Sequence, residues 1–180
     1  MFPSEVVATN RLVLRPFAIA DAAAVVDGCS DGETQRWLPM PRPFTPAVAE
    51  GWCSGGAEQL RLDGDGVQLA IADAADDRLV GGVCLKKTSW VRGYTEIGYW
   101  MRPGLRGRGF AAEATAGLAR WGLGHERIHR VELTAATGNI ASQRVALKAG
   151  FTFEGVARSA GYTHTGRVDL RVYSLVRGDV

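Results

Sequence analysis

Three arginines and three glycines occur in the short stretch MRPGLRGRGFAAEA, residues 101 to 114. A strand-like apolar segment precedes the stretch, and an alanine-rich, helix-like segment follows it. A glycine-rich turn at the start of a helix presents free backbone N–H groups at the positive end of the helix dipole, which suits phosphate oxygens. Glycine has no Cβ to hold an anion away from these amides, and arginine adds charge-assisted donors. We therefore expect this turn to bind a phosphate-bearing ligand.

Two common phosphate-binding motifs can be compared with this turn. A P-loop requires Lys and then Ser or Thr after its last glycine, whereas Phe110 follows Gly109. The dinucleotide fingerprint G-x-G-x-x-A is matched by Gly107, Gly109 and Ala112, and Glu132 lies at a suitable distance downstream for a ribose. Glu132 falls inside its predicted strand, however, and the rest of the chain offers no second mononucleotide-binding half. A nicotinamide-dependent oxidoreductase therefore stays as the weaker alternative.

The elements that must position the turn follow from the hydrophobic patterns. Alternating apolar and polar residues predict strands at 11–17, 67–73, 78–87, 94–101, 130–137, 151–158 and 169–177. Helix formers, caps and glycine stops predict helical segments at 18–29, 44–62, 110–125 and 139–150. The order contains no repeat, low-complexity run or linker. It predicts one mixed α/β domain over residues 1–180.

Composition agrees with an ordinary globular domain that needs no disulfide or structural metal, since 46% of the 180 residues are hydrophobic and 22% are charged. Cys29, Cys53 and Cys84 are odd in number and far apart, which predicts the reduced thiols of a cytosolic protein. The three histidines stand apart from carboxylates at ligand spacing, so no metal site is expected.

The net charge and the hydropathy of the chain argue against two classes of partner, nucleic acids and membranes. The formal net charge of +2 is too small to indicate nucleic acid. The N-terminal residues do not follow the secretory pattern, and no segment reaches the roughly 18 apolar residues of a membrane span. We therefore expect a cytoplasmic protein with neither a nucleic-acid nor a membrane partner.

Read as Arg-x-x-Gly-x-Ala from Arg106 to Ala111, the turn resembles the acetyl-CoA-binding core of the GNAT superfamily of N-acetyltransferases. The strand EIGYWM before it and the segment NIASQRVALKAGF after it have the order and spacing of that family. RLVLRPF resembles the family's opening strand, and AGFTFEGVAR resembles the region after its fourth helix. The closing GYTHTGRVDLRVYSLVRGD is similar to the subgroup of ribosomal-protein N-terminal acetyltransferases, the RimJ and RimL type.

The resemblance implies a fold, a reaction and a ligand. The fold is α/β: a mixed, mostly antiparallel sheet of about seven strands, flanked by about four helices, with two splayed central strands. The reaction is direct attack of a primary amine, a protein N-terminus or a small molecule, on the thioester of acetyl-CoA. Acetyl-CoA is then a cosubstrate, and no metal takes part. Dimers are common in the subgroup, and the sequence itself leaves the oligomeric state open.

The resemblance also implies which residues hold coenzyme A. Residues 107–112 wrap the pyrophosphate, with Arg106 and Arg108 nearby as charge partners. The exposed backbone of the splayed strand pairs with the pantetheine arm, and Asn139 contacts that arm. Asn139 is equally suited to begin a helix as its N-cap. The full set implied is Tyr99, Trp100, Met101, Arg106, Gly107, Arg108, Gly109, Phe110, Ala111, Ala112, Asn139 and Ser142.

Catalysis by direct attack needs a base for the amine and an acid for the leaving sulfur. Glu96 lies on the strand where family members often carry such a carboxylate, although it suits a surface charge equally well. Ser142 matches the serine that lies near the sulfur in the ribosomal-type subgroup. Many members carry an acidic tyrosine at the position of Ala146, so the usual tyrosine mechanism is in doubt. A module that binds acyl-CoA without catalysis therefore remains an alternative function.

The amine acceptor is not identified by any motif. Residues 30–66, with Trp37, Phe44 and Trp52, are expected to line the acceptor side, as the corresponding helices do in the family. His164 lies in a segment that borders the acceptor pocket in similar proteins.

Overall fold

A single eight-stranded sheet organises the chain, which a computed structural model describes over residues 1–180. All neighbouring strands are antiparallel except β5 and β6, which are parallel. The spatial order is β1-β2-β3-β4-β5-β6-β8-β7. The strands are β1 (Val7–Ala8), β2 (Leu12–Arg15), β3 (Val67–Asp73), β4 (Leu79–Ser89), β5 (Tyr94–Met101), β6 (Arg130–Ala136), β7 (Thr152–Thr163) and β8 (Gly166–Val176).

Six α-helices flank the sheet, and polar side chains begin several of them. Thr45 begins α3 by accepting a hydrogen bond from the N–H of Val48, with Pro46 at the first helical position. The helices are α1 (Ala22–Ser30), α2 (Gly32–Trp37), α3 (Pro46–Gly51), α4 (Ala57–Leu62), α5 (Phe110–Gly124) and α6 (Ile140–Lys148). A π-helical turn, Trp52–Gly56, joins α3 to α4.

The sheet has one more strand than the seven expected. The additional strand, β1, has two residues and pairs with Leu14 and Val13 of β2, so it is too short to show an alternating pattern. The expected helix over 44–62 is divided into α3, the π-helical turn and α4, and α2 was not expected. The six residues of α2 depend on Asp31, whose carboxylate accepts the N–H of Thr34.

The core lies on both faces of the sheet. Alternate residues of one strand belong to different clusters: Ile71 packs in the larger cluster with α5 and α6, and Ala70 packs in the smaller one with α1 and α3. Below we call these the α5 face and the α1 face. The longest helix, α5, has 15 residues. No helix combines the length and the apolar character that crossing a bilayer requires.

The two central strands separate along their length. β5 and β6 pair only at Tyr94 with Arg130, Thr95 with Val131 and Glu96 with Glu132. Beyond Glu96, β5 continues to Met101 and β6 continues to Ala136 without a further pair. The expected splay is therefore confirmed. It leaves one edge of β5 unpaired immediately before the glycine-arginine turn.

Candidate functional site

The glycine-arginine turn connects β5 to the first residue of α5. Gly107 and Gly109 have φ angles of 79° and 84°, a region that other residues rarely adopt. None of the backbone N–H groups from Arg106 to Ala112 has a hydrogen-bond acceptor in the protein. Because peptide N–H groups need partners, these seven consecutive donors at a helix N-terminus are suited to an anion.

The two arginines of this turn differ in their surroundings. The Nη2 atom of Arg106 lies 2.5 Å from Oδ2 of Asp31, 2.8 Å from Oγ1 of Thr34 and 3.1 Å from the carbonyl oxygen of Met101. Burial opposes ionisation of Asp31, but hydrogen bonds from Arg106 and from the N–H of Thr34 outweigh it and lower the pKa of Asp31. Arg108, in contrast, forms no salt bridge. The charge of Arg106 is thus neutralised within the protein, whereas that of Arg108 is not.

The backbone of β5 presents alternate residues to the splay. The N–H of Arg102 donates to the carbonyl of Val80 on β4. Because backbone groups alternate in direction along an antiparallel strand, the even-numbered residues of β5 form their backbone hydrogen bonds with β4. Tyr99 and Met101 therefore direct their backbone groups toward the side that β6 has left. Of the three residues expected to pair with pantetheine, Trp100 directs its backbone groups to β4 instead.

The indole of Trp100 fills space on the α1 face. It lies against the backbone of Gly28 in α1 and of Gly82 in β4, and a Cβ on Gly82 would come within 2.5 Å of the indole Nε1. Trp100 is therefore a packing residue at this position.

Tyr99 and Ser142 meet on the α5 face. Burial raises the pKa of Tyr99 to about 12, and the adjacent hydroxyl of Ser142 partly opposes the rise. Ser142 lies in the first turn of α6, and its N–H donates to Oδ1 of Asn139 at 3.0 Å. Asn139 is thus the N-cap of α6, and its amide nitrogen keeps no partner in the chain. Ala146, where a tyrosine was considered, is fully buried and offers only a methyl group.

Glu96 lies on the other face of β5, on the same side as Trp100. Its side chain is buried rather than on the surface, and it pairs with two ammonium groups. The Nζ atom of Lys87 lies 2.8 Å from Oε2, and the Nζ atom of Lys86 lies 3.3 Å from Oε1. Glu96 belongs to the last pair before the splay, so its carboxylate lies at the vertex of the cleft.

A second carboxylate, Glu132, faces Glu96 across this vertex. It accepts a hydrogen bond from Nη2 of Arg130 at 2.9 Å. Arg130 also binds Glu154, and hydrogen bonds from Arg130 and from Ser174 lower the pKa of Glu154 to about 2. Glu132, which the dinucleotide alternative assigns to a ribose, is therefore held in a charged network within the sheet.

The segments expected to line the acceptor side meet around the open end of the cleft. Trp37 of α2 approaches Gly138, just after β6, so that a Cβ on this glycine would lie 3.3 Å from the indole. The Nε2 atom of His164, in the turn between β7 and β8, lies 3.1 Å from the carbonyl oxygen of Met40. Phe44 and Trp52 pack on the α1-face cluster. The contacts of Trp37 and His164 bring residues from both halves of the chain to one rim, whereas Trp52 packs against Phe17.

Cysteine and metal chemistry have no visible part in this site. All three cysteines are buried free thiols, and burial raises the pKa of Cys29 to about 12. No cluster of three or more His, Cys, Asp or Glu side chains could hold a metal ion.

Sequence reasoning missed five contributors to this geometry. Asp31 and Thr34 bind Arg106, the phenol of Tyr99 lies beside Ser142, and Lys86 and Lys87 pair with Glu96. The two consecutive lysines at the end of the predicted strand 78–87 carried a signal for the last pairing. The others depend on contacts between elements that are distant along the chain.

Comparison with known proteins identifies the family. Residues 11–152 match the model of the acetyltransferase (GNAT) domain. The chain is 29% identical over 177 residues to the uncharacterized N-acetyltransferase YoaA of Bacillus subtilis, covering 98% of each chain. It is 25% identical over 101 residues, 56% of each chain, to the ribosomal-protein-serine acetyltransferase of Escherichia coli. It superposes on Mycobacterium smegmatis RimJ in complex with CoA-disulfide with a TM-score of 0.87 at 22% identity, covering 98% of this chain and 90% of that one, which supports the fold.

The family match covers the turn, the splayed strands and α6 together. It replaces the dinucleotide-binding alternative and agrees with the unbonded amides ahead of α5. The chain therefore belongs to the GNAT family of acetyltransferases, and RimJ and RimL type enzymes are among its relatives.

Proposed function

We propose that this protein transfers an acetyl group from acetyl-CoA to a primary amine, either a protein N-terminus or a small molecule, and that residues 1–180 act as one catalytic domain. The observation that carries the proposal is the run of seven unbonded N–H groups from Arg106 to Ala112, directly after a strand edge that has no partner. The first feature suits a diphosphate, and the second suits the amides of a pantetheine arm.

Each group of the donor has a counterpart in this arrangement. The N–H groups of Gly107–Ala112 face the diphosphate, and the guanidinium of Arg108, which has no carboxylate partner, adds charge. Tyr99 offers its backbone groups to the pantetheine arm, and the free side-chain amide nitrogen of Asn139 offers one more donor. The carbonyl of Met101 accepts from Arg106, so only the N–H of Met101 is left, and it faces the thioester end of the donor. Arg106 takes part through its own N–H, because its guanidinium is bound to Asp31.

The two faces of β5 divide the proton transfers between them. Glu96, on the α1 face, takes a proton from the amine directly or through water. The amine nitrogen then bonds to the thioester carbonyl carbon, and the N–H of Met101 stabilises the oxyanion. When the carbon–sulfur bond breaks, Ser142 on the α5 face gives its proton to the sulfur, and the second proton of the amine nitrogen returns to Ser142 through water, so that the amide, the thiol and the serine all end neutral. Tyr99 lies beside that hydroxyl and orients it. The base therefore lies on the acceptor side and the acid on the donor side.

The acceptor enters between α2 and the turn that joins β7 to β8. Trp37, Met40 and His164 surround this entrance, and the carboxylates Glu96 and Glu132 lie deeper. The indole of Trp37 at this entrance favours an amine that carries an apolar substituent. The name of the Escherichia coli relative makes peptide N-termini the first acceptors to test.

The experiment measures donor binding and turnover separately. Acetyl-CoA should raise the melting temperature of the purified protein, and free thiol should appear when the right amine is added. Peptides with free and with blocked N-termini, together with a panel of small amines, identify the acceptor. No stabilisation at millimolar acetyl-CoA would contradict the proposal. Binding without turnover over the whole panel would instead favour a module that only binds acyl-CoA.

A further inference from the structure

The fourth residue of α5, Glu113, is bound by a segment near the N-terminus of the chain. Its carboxylate accepts hydrogen bonds from Oγ1 of Thr9 at 2.7 Å, from the backbone N–H of Arg11 at 2.7 Å and from Nε of Arg11 at 2.8 Å. The Nη2 atom of Arg11 lies 2.7 Å away as well. Burial opposes ionisation of Glu113, but these hydrogen bonds outweigh it and lower its pKa.

The same arginine reaches three consecutive residues of the turn. Its Nη1 atom donates to the carbonyl oxygen of Arg108 at 3.2 Å. Its guanidinium lies 4.7 Å from the centre of the Phe110 ring. A Cβ on Gly109 would lie 3.4 Å from its Nη2 atom. Arg11 therefore spans the residues at which the turn becomes a helix.

These contacts fix the direction of one peptide group. The Arg108–Gly109 peptide is planar and trans, so its C=O and its N–H point in opposite directions. Because Arg11 holds the C=O of Arg108, the N–H of Gly109 must point away from Arg11. Gly109 itself adopts a φ of 84°, and its own C=O accepts the N–H of Glu113 at 3.1 Å, so Arg11 and the first turn of α5 hold the two peptide groups on either side of this residue.

Arg11 is badly placed to bind an anion itself. Its Nε and Nη2 donors are directed to Glu113 and its Nη1 donor to a carbonyl oxygen, and the carboxylate neutralises its charge. We infer that Arg11 and Glu113 form a clamp that positions the turn, holding the N–H of Gly109 and the first turn of α5 in the orientation that receives the diphosphate of the donor. This inference rests on the proposed function and extends it to residues about 100 positions apart along the chain.

The test measures the dissociation constant of coenzyme A by calorimetry. It compares the unmodified protein with Arg11→Lys, Glu113→Ala and the double variant, at a temperature where every variant is folded. Arg11→Lys keeps the charge, but an ammonium cannot contact the carboxylate through two nitrogens and reach the Arg108 carbonyl as well. We expect it to weaken binding about tenfold. Glu113→Ala removes a negative charge beside the anion, so electrostatics alone would strengthen binding. The clamp predicts the opposite sign, a loss of about tenfold.

Because the two side chains act as a unit, the double variant should lose no more than about twofold beyond either single variant. Arg78→Gln is the matched control: Arg78 is 48% exposed against 46% for Arg11, and it pairs with Asp73. Its affinity for coenzyme A should equal that of the unmodified protein. Unchanged or tighter binding by folded Glu113→Ala would overturn the clamp. If the unmodified protein itself fails to bind coenzyme A, the proposed function fails rather than the clamp alone.

Discussion

The guanidinium of Arg106 and the carboxylate of Asp31 form an ion pair with 2.5 Å between Nη2 and Oδ2. Asp31 is also the N-cap of α2, because its Oδ2 accepts the N–H of Thr34 at 2.9 Å. One carboxylate thus connects the turn that we assign to the donor with a helix that we assign to the acceptor side. The position of α2 depends on this connection, since the helix has only six residues.

The first prediction concerns the pH dependence of this ion pair. Asn also caps helices well, so Asp31→Asn removes the charge but keeps the cap. The folded-state pKa of Asp31 is lowered, so the ion pair stabilises the fold above the unfolded pKa of about 4 and loses this effect as pH falls through the folded pKa. Urea unfolding measures the difference in the free energy of unfolding between the unmodified protein and Asp31→Asn. This difference should be constant from pH 7 to pH 5 and should shrink below about pH 4. A difference as large at pH 3 as at pH 7 would contradict the assignment.

The second prediction separates backbone strain from ligand binding at Gly109. A valine at a φ of 84° is strained and carries bulk toward the amides of the turn, so Gly109→Val should weaken acetyl-CoA binding at least about tenfold. Gly64 supplies the control because it has a φ of 76° and open space at its Cβ position. Gly64→Val should lose a similar stability, about 1–2 kcal/mol, and keep its affinity. The two melting temperatures and the two calorimetric dissociation constants check this. Equal affinities in both folded variants would refute the role of Gly109.

The third prediction assigns the acid. Ser142→Ala should lower kcat by about 10²-fold or more while changing the KM for acetyl-CoA much less, because the proton is needed only when the carbon–sulfur bond breaks. Tyr99→Phe leaves the serine in place and removes only its partner, so its effect on kcat should be smaller. Steady-state kinetics with the identified amine measure both. If Ser142→Ala raises KM as much as it lowers kcat, the serine is a binding contact instead.

The fourth prediction compares the two carboxylates at the vertex of the splay. Glu96→Gln should lower kcat by about 10²-fold, since an amide cannot take the proton of the amine. Glu132→Gln is the matched control, because Glu132 occupies the facing position on β6 but belongs to the network of Arg130. Its kcat should stay within about threefold of the unmodified protein. A larger loss in Glu132→Gln than in Glu96→Gln would transfer the role of base to Glu132.

Local patterns predicted the elements around the donor turn but not those with little signal of their own. The strand before the turn, α5 and α6 were expected within a few residues, because their periodicity and caps are local. The strand β1 and the helix α2 are short, and they form because Leu14 and Arg106 supply partners from elsewhere in the chain. The side-chain partners of Glu96 and Tyr99 likewise follow from strand register and helix docking, which a single sequence does not encode at one position.

The last prediction tests the packing behind the donor strand. Gly28 lies in the last turn of α1, inside the helix, where alanine would normally favour the helix by up to about 1 kcal/mol. A Cβ at this position would instead overlap the indole of Trp100, and the neighbouring β4 leaves the ring no room to move because Gly82 lies against its other edge. Gly28→Ala should therefore destabilise the protein by about 1–3 kcal/mol in urea unfolding. Gly32→Ala, with open space at its Cβ position, should be neutral or stabilising.

Gly28→Ala should also weaken the binding of acetyl-CoA at the donor site. Trp100 precedes Met101, so displacing the indole shifts the unpaired edge of β5, and acetyl-CoA binding should weaken together with stability. Shortening the side chain by Trp100→Leu in the Gly28→Ala background should recover part of the lost stability, because the overlap disappears. The double-mutant cycle of unfolding free energies measures this coupling. Strict additivity of the two substitutions would show that Gly28 and Trp100 do not constrain each other.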